Sequence, residues 1–438
     1  MAEKIFFLFI FIVLLNFSSQ TAQASETNRP EKPDSPKAWT FMFYFAATSD
    51  LVEFTNYTIN EMEKTGSGDN IAIAVQYDGP EQGDSVRYIV QKDNDTSNIT
   101  SPKEELGEIN TGDLASLTSF VDWTLDNAPA EHYCFVFNGH GSGSIDMMKS
   151  IKNCRLDSKN MCYDPESNYS SSIDAAEMNQ FAKYLSKNSG RGKVSLIVLN
   201  ACLMGNVEAI NQFSRNVEYI VASEAVVRGG LSFLLAQQFP DINKNPQITG
   251  AEIGKRIVDG YFELVTSQSM TNDSLNGVTS YAPGFIVSLI DCSRFYLGGE
   301  SSLVGSLNVL SHALRVDLKT DLAAISKAMK EAQNYTSYAQ PMYADIDDLC
   351  GLFYNNAASS NIRTAAWNVR TALERTVVYF KTSQDAGKEA NVGHGLSIFT
   401  KCDKSSLLKD YLNTDFAAET EWDEFLKDFL TASNCQQQ

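Results

Sequence analysis

The sequence predicts an α/β fold: a largely parallel sheet covered by helices on both faces, followed by a mostly helical C-terminal region. Three observations carry this. Apolar runs of strand length recur through residues 38–223 without alternation, which suits strands buried on both faces. Segments with helical spacing stand between them, and connections of that length make crossovers between parallel strands. Beyond residue 296 helical spacing prevails, until one short apolar run returns at 393–400.

The chain opens with Lys4 ahead of an apolar stretch over residues 5–15, and Ala22 and Ala24 frame a small-x-small cleavage site. A stretch this short does not cross a bilayer, which needs ~20 apolar residues, so 1–24 reads as a signal peptide. Its removal would leave a protein without a membrane anchor, secreted or periplasmic. Residues 25–37, SETNRPEKPDSPK, are polar and proline-rich and read as a flexible leader.

A sheet domain is expected over 38–295. AWTFMFYFAA (38–47) is its first strand and VEFTNYTINEMEK (52–64) a helix. NIAIAVQYD (70–78) and SVRYIVQKD (85–93) are strands joined by the turn-rich GPEQGD. A helix over 111–128 leads to the strand HYCFVFNGHG (132–141). After a polar interruption, a helix over 172–188 precedes the strand KVSLIVLNA (193–201), the helix NVEAINQFSR (206–215) and the strand VEYIVAS (217–223). In the region 296–438, DLAAISKAMKEAQNY (321–335) and RTAAWNVRTALERTVVYF (363–380) read as helices, and GHGLSIFTK (393–401) as a strand.

Lys and Arg number 35 against 54 for Asp and Glu, a formal charge of −19 that the signal peptide does not alter, because Glu3 and Lys4 cancel. Such a surface repels phosphate backbones, which argues against nucleic acid as a partner. Eight cysteines, Cys134, Cys154, Cys162, Cys202, Cys292, Cys350, Cys402 and Cys435, would by default bridge in an exported chain. None of their spacings suggests a zinc site, and no phosphate-binding loop, HExxH or GxSxG motif is present.

The chemistry gathers at two strand tips. CFVFNGHGSG puts His140 just past an apolar run, and LIVLNACLMG puts Cys202 just past another, 62 residues on. Strand carboxyl ends are where open α/β sheets bind ligands. If the two strands are neighbours, ~4.8 Å apart, imidazole and thiol can meet. A thiol attacks a carbonyl as thiolate, so a histidine must take its proton and later pass it to the leaving group. A helix starting two or three residues after Cys202 would favour the anion. Gly139, Gly141 and Gly143 let a substrate backbone approach, and the amides of Gly141 and Cys202 are candidates for an oxyanion hole. The competing reading is a buried packing cysteine and a capped turn. His132 lies at the wrong strand end, His312 in a helix, and His394 ahead of its strand as a structural residue.

FNGHGSG, NACLMGNVEAI, VASEAVVRGG, YADIDDL and HGLSIFT, in this order, resemble the landmarks of the clostripain family of caspase-like cysteine peptidases, over residues 38–400. The resemblance implies a caspase-like αβα sandwich and a cysteine endopeptidase with Cys202 as nucleophile and His140 as base, acting on polypeptides as a monomer or nicked two-chain form. It also implies maturation by cleavage between those residues. The matching segment, 144–171, carries Lys149, Lys152, Arg155 and Lys159, and reads equally as a plain insertion; Cys154 and Cys162 within it could bridge. Family members that cut after Arg or Lys usually hold an aspartate two residues before the nucleophile, where this chain has Asn200. That leaves a basic, neutral or acidic preference open, with Glu224 and Arg228 as further pocket candidates. No cofactor is required; calcium, used by some relatives, would have Asp345, Asp347 and Asp348, which equally open a helix. With Cys202 free, parity requires a second unpaired thiol, for which Cys134 is the buried candidate, leaving up to three bridges. Two other functions stay open: a non-catalytic binding protein on this scaffold, and another acyl transfer or amide hydrolysis by the same thiol.

Overall fold

A computed structural model describes residues 35–47, 50–144, 161–164, 171–227, 230–266, 285–296, 299–334, 342–382, 393–401 and 411–433. All lie within one unit, Lys32–Gln438. The signal peptide and most of the leader fall outside the described residues, as do Cys154, Cys402 and Cys435.

The sheet begins with β1 (Lys37–Ala46), α1 (Val52–Glu63), β2 (Ile71–Asp78), β3 (Ser85–Ile89) and β4 (Lys103–Gly107). α2 (Leu114–Asn127) leads to β5 (Ala130–Asn138), a small hairpin of β6 (Met161–Asp164) and β7 (Ser171–Ile173), and α3 (Ala175–Asn188). Then come β8 (Val194–Asn200), α4 (Val207–Ser214), β9 (Val217–Ala222), α5 (Leu231–Ala236), α6 (Phe239–Lys244), α7 (Gly250–Thr266) and β10 (Ile286–Asp291). The remainder holds α8 (Ser293–Tyr296), α9 (Leu303–Val316), α10 (Leu318–Glu331), β11 (Tyr343–Asp345), α11 (Ile346–Asn356), α12 (Ser360–Thr376), β12 (Val377–Thr382), β13 (Ser397–Phe399) and two helices at Asp415–Glu419 and Trp422–Ala432.

Nine strands form one sheet in the order β12-β10-β9-β8-β5-β1-β2-β3-β4. The five from β9 to β2 are parallel, as the helical crossovers require, and antiparallel strands finish both edges. Continuous apolar strands are explained by burial on both sides. Phe41, Phe43, Val136, Leu196 and Val198 pack under α1 and α5–α7, while Met42, Tyr44, Phe135, Ile197 and Leu199 pack under α2–α4 and the C-terminal helices. The largely parallel sandwich read from the sequence is what forms.

One C-terminal expectation changes. The helix expected over 363–380 ends at Thr376, and the β-branched Val377 and Val378 start β12, an edge strand of the main sheet. The run at 393–400 does give β13, but its partner is β11, in a separate two-stranded sheet.

β13 is fastened to the segment after Cys202. Ser397 donates its amide to the Gly205 carbonyl at 3.0 Å, and the Phe399 amide donates to Oε1 of Glu208 at 3.0 Å, which also accepts the Tyr411 hydroxyl at 3.3 Å. Glu208 is fully buried and its Oε2 has no partner, so burial pushes its carboxyl up to about 7. An unfolded Glu titrates near ~4.3. The folded chain therefore holds the proton more tightly, and stability falls as pH rises from ~4.3 to about 7 and is level above. Glu208→Gln should remove that fall, up to about 3 kcal/mol of the difference between pH 5 and pH 8. Urea midpoints at the two pH values would check it; an unchanged difference would show that Glu208 ionises freely in the folded chain.

Candidate active site

β5 and β8 are neighbours, paired in parallel with Asn138 opposite Asn200. His140 and Cys202 therefore stand the same two residues beyond the last pair. The loops that carry them touch: a Cβ on Gly141 would lie 2.8 Å from the Cys202 carbonyl oxygen and 2.9 Å from the Ala201 Cβ, so only glycine fits there. The Gly139 amide also donates to the Asn200 carbonyl at 3.4 Å.

His140 is held from a third strand tip. Its Nε2 lies 3.2 Å and 3.1 Å from the two carboxylate oxygens of Asp50, in the connection between β1 and α1. A carboxylate there keeps the imidazole proton on Nε2 and leaves Nδ1 as the basic nitrogen. The sequence reading missed Asp50, although FYFAATSDL ends β1 with the same signature of an apolar run followed by a polar tip.

Cys202 is half-buried, with Sγ 3.8 Å from the Val227 carbonyl. Burial pushes its thiol up to about 11. At rest the group is thus a thiol and needs a base. The helix expected two or three residues on begins five residues on, at Val207 with Asn206 as its N-cap, because the chain first turns through Leu203 at φ 61°. Helix-end stabilisation fades within a turn, so α4 gives less help than expected.

Beneath the pair lies a neutral polar network. Asn200 Nδ2 donates to Asn138 Oδ1 and to Ser232 Oγ (3.2 Å), and Ser232 Oγ donates to Asn138 Oδ1 at 3.0 Å. Asn200 is buried and its Oδ1 has no partner. Asn138 and Ser232 were not foreseen; nothing in sequence links position 200 to 232.

Glu224 is also buried, and its Oε1 accepts the Gly395 amide at 2.8 Å. Burial first, and then Asp345, raise its carboxyl well above the usual range. Arg228, Lys149, Lys152, Arg155 and Lys159 lie outside the described residues. Within 144–171 the described part includes a strand: β6 pairs with β7, bridges Gly141 through Met161, and donates the Cys162 amide to the His140 carbonyl at 3.3 Å. The polar interruption thus returns beside the histidine loop.

Cys162 is a buried free thiol at φ 54°, not half of a bridge to Cys154. Cys134 is free as expected, but so are Cys292 and Cys350, which leaves three cysteines and room for one bridge. Protein donors engage the carboxylates of Asp345, Asp347 and Asp348, the residues named for calcium. Asp345 caps α11 and accepts the His394 amide at 2.7 Å, Asp347 pairs with both arms of Arg370 at 2.7 and 2.9 Å, and Asp348 accepts the Gln333 amide at 2.7 Å.

A family model described as the clostripain family matches residues 43–429. Clostripain of Hathewaya histolytica is 27% identical over 229 residues, 46% of this chain and 42% of that protein, so the match spans less than half of that relative. Among solved structures, a secreted C11 cysteine protease from Bacteroides thetaiotaomicron in complex with an irreversible peptide inhibitor superposes with a TM-score of 0.60 at 15% identity, over 88% of this chain and 99% of that one. An inactive zymogen C11 protease from Parabacteroides distasonis gives 0.58 at 17%, over 89% and 99%. At such identities the two structures speak to the fold alone.

Proposed function

Because the chain belongs to the clostripain family, we propose that it is an exported cysteine endopeptidase working through Cys202 and His140. The observation that carries this is the Asn138–Asn200 register, with the two loops in contact above it. His140 Nδ1 takes the thiol proton, and Sγ attacks the peptide carbonyl to form a tetrahedral intermediate. The amides of Gly141 and Cys202 donate to its oxyanion. Collapse expels the amine, which receives the proton from His140, and water then hydrolyses the thioester by the same base. The reaction takes no cofactor. Export rests on the signal peptide read at residues 1–24, and the maturing cut is placed within the polar segment 144–171, which returns beside the histidine loop at Met161.

Polypeptides are the substrates, and the residue before the scissile bond meets a floor without charge. The Asn138–Asn200–Ser232 network offers a basic side chain no carboxylate. Asn200→Asp is expected to raise kcat/KM for peptides cut after Lys or Arg by ~10-fold or more relative to uncharged residues, given ~1.5–3 kcal/mol for a charge-assisted hydrogen bond. Mass spectrometry of a peptide library digested by native and variant protein tests both proposals. No cleavage by the native protein would remove the peptidase reading, and an unchanged residue preference in the variant would remove Asn200 from the floor.

A further inference from the structure

Tyr57 on α1 is 55% exposed, yet its ring lies 5.0 Å from that of Phe233 on α5, tilted by 25° in a stacked pair. Phe54, one turn earlier on α1, meets Phe233 in an edge-on contact at 6.5 Å and 61°. Phe233 is itself nearly buried, so the pair is rigid below and open above.

Its location ties it to the catalytic pair from two directions. α1 starts directly after Asp50, the partner of His140, and Tyr57 follows Asp50 by seven positions, about 10 Å of helix at ~1.5 Å per residue. Phe233 follows Ser232, which holds Asn200 two residues before Cys202. Both helices cover the same face of the sheet, the face toward which Asn138 and Asn200 turn. An extended peptide advances ~3.3 Å per residue, so two to four residues span ~7–13 Å, the scale of the ~10 Å of helix between Asp50 and Tyr57.

We infer that Tyr57, backed by Phe233 and Phe54, is a specificity-determining shelf that takes an aromatic or large aliphatic side chain of the polypeptide substrate, two to four residues from the scissile bond. This rests on the reading of Cys202 and His140 given above. Stacking on the open face of Tyr57 adds a third ring to the pair and removes apolar surface of both partners from water.

The test compares otherwise identical peptides that carry Phe or Gly at each of those positions. For the native protein, kcat/KM should favour Phe at one of them by about tenfold. Tyr57→Ala should collapse that ratio toward one and Tyr57→Phe should keep it, while Tyr354→Ala, a remote exposed aromatic, should leave it as in the native protein. Anisotropy of the same labelled peptides on the Cys202→Ala protein gives the discrimination without turnover. If the native protein neither cleaves peptides nor reacts with iodoacetamide at Cys202, the catalytic reading fails, and the binding ratio alone then decides the shelf. A Phe/Gly ratio near one in the native protein, or one indifferent to Tyr57→Ala, overturns the shelf.

Discussion

Cys202→Ala is expected to bring peptide hydrolysis down to background, a loss of at least ~10⁴-fold in kcat/KM, because removal of a nucleophile leaves only what binding and the oxyanion donors supply. The fold should persist. The substitution removes one half-buried sulfur whose contact to Val227, at 3.8 Å, is long and weak, and it leaves the β8 ladder and the Asn200 network untouched. Thiol chemistry offers an independent readout. Cys134, Cys162, Cys292 and Cys350 are buried, and burial drives each of their thiols upward, so they should not react near neutral pH. Digestion after brief iodoacetamide treatment should therefore find the label on the peptide containing Cys202, and on none of those four. Hydrolysis above about one per cent of native in the variant would assign the nucleophile elsewhere; a native Cys202 that stays unlabelled would turn the site into a binding surface.

How much of this could be read beforehand depended on how local each cause was. The tips of β5 and β8 were legible because strands buried on both faces are written as unbroken apolar runs, CFVF and LIVL, that stop abruptly at polar residues. Their adjacency was only a condition of the argument, since β6, β7 and α3 intervene in sequence and β5 has β1 as its other neighbour. The β12 error arose where a helical stripe, Ala365, Val369, Ala372 and Leu373, runs without a breaker into two valines; only pairing with β10 makes Val377 a strand residue. The cysteine expectation came from an inferred compartment, not from geometry, and failed because Cys162, Cys292 and Cys350 each fill core space. The setting of Glu224 was hidden for a similar reason. A carboxyl beside a strand end looks available in sequence, and its burial against Asp345 and the Gly395 amide depends on a segment 171 residues away.

His140→Ala is expected to lower kcat/KM by about 10³-fold, within the usual contribution of a general base, and to move the pH dependence of Cys202 alkylation upward. The sign follows from the thiol. Left to its surroundings it is pushed up to about 11 by burial, so without an imidazole to accept its proton the alkylation rate should climb roughly tenfold per pH unit through neutrality and level off only near that value. With His140 present, proton transfer to Nδ1 should make the native protein reactive well below it. Asp50 bears on the size of the difference: its carboxylate steadies the imidazolium formed on transfer, but at 60% side-chain exposure solvent screens the pair, so most of the effect belongs to His140 itself. Superimposable alkylation profiles for native protein and variant would mean that the imidazole does not reach the sulfur. The register of β5 on β8 would then position two reactive groups without coupling them.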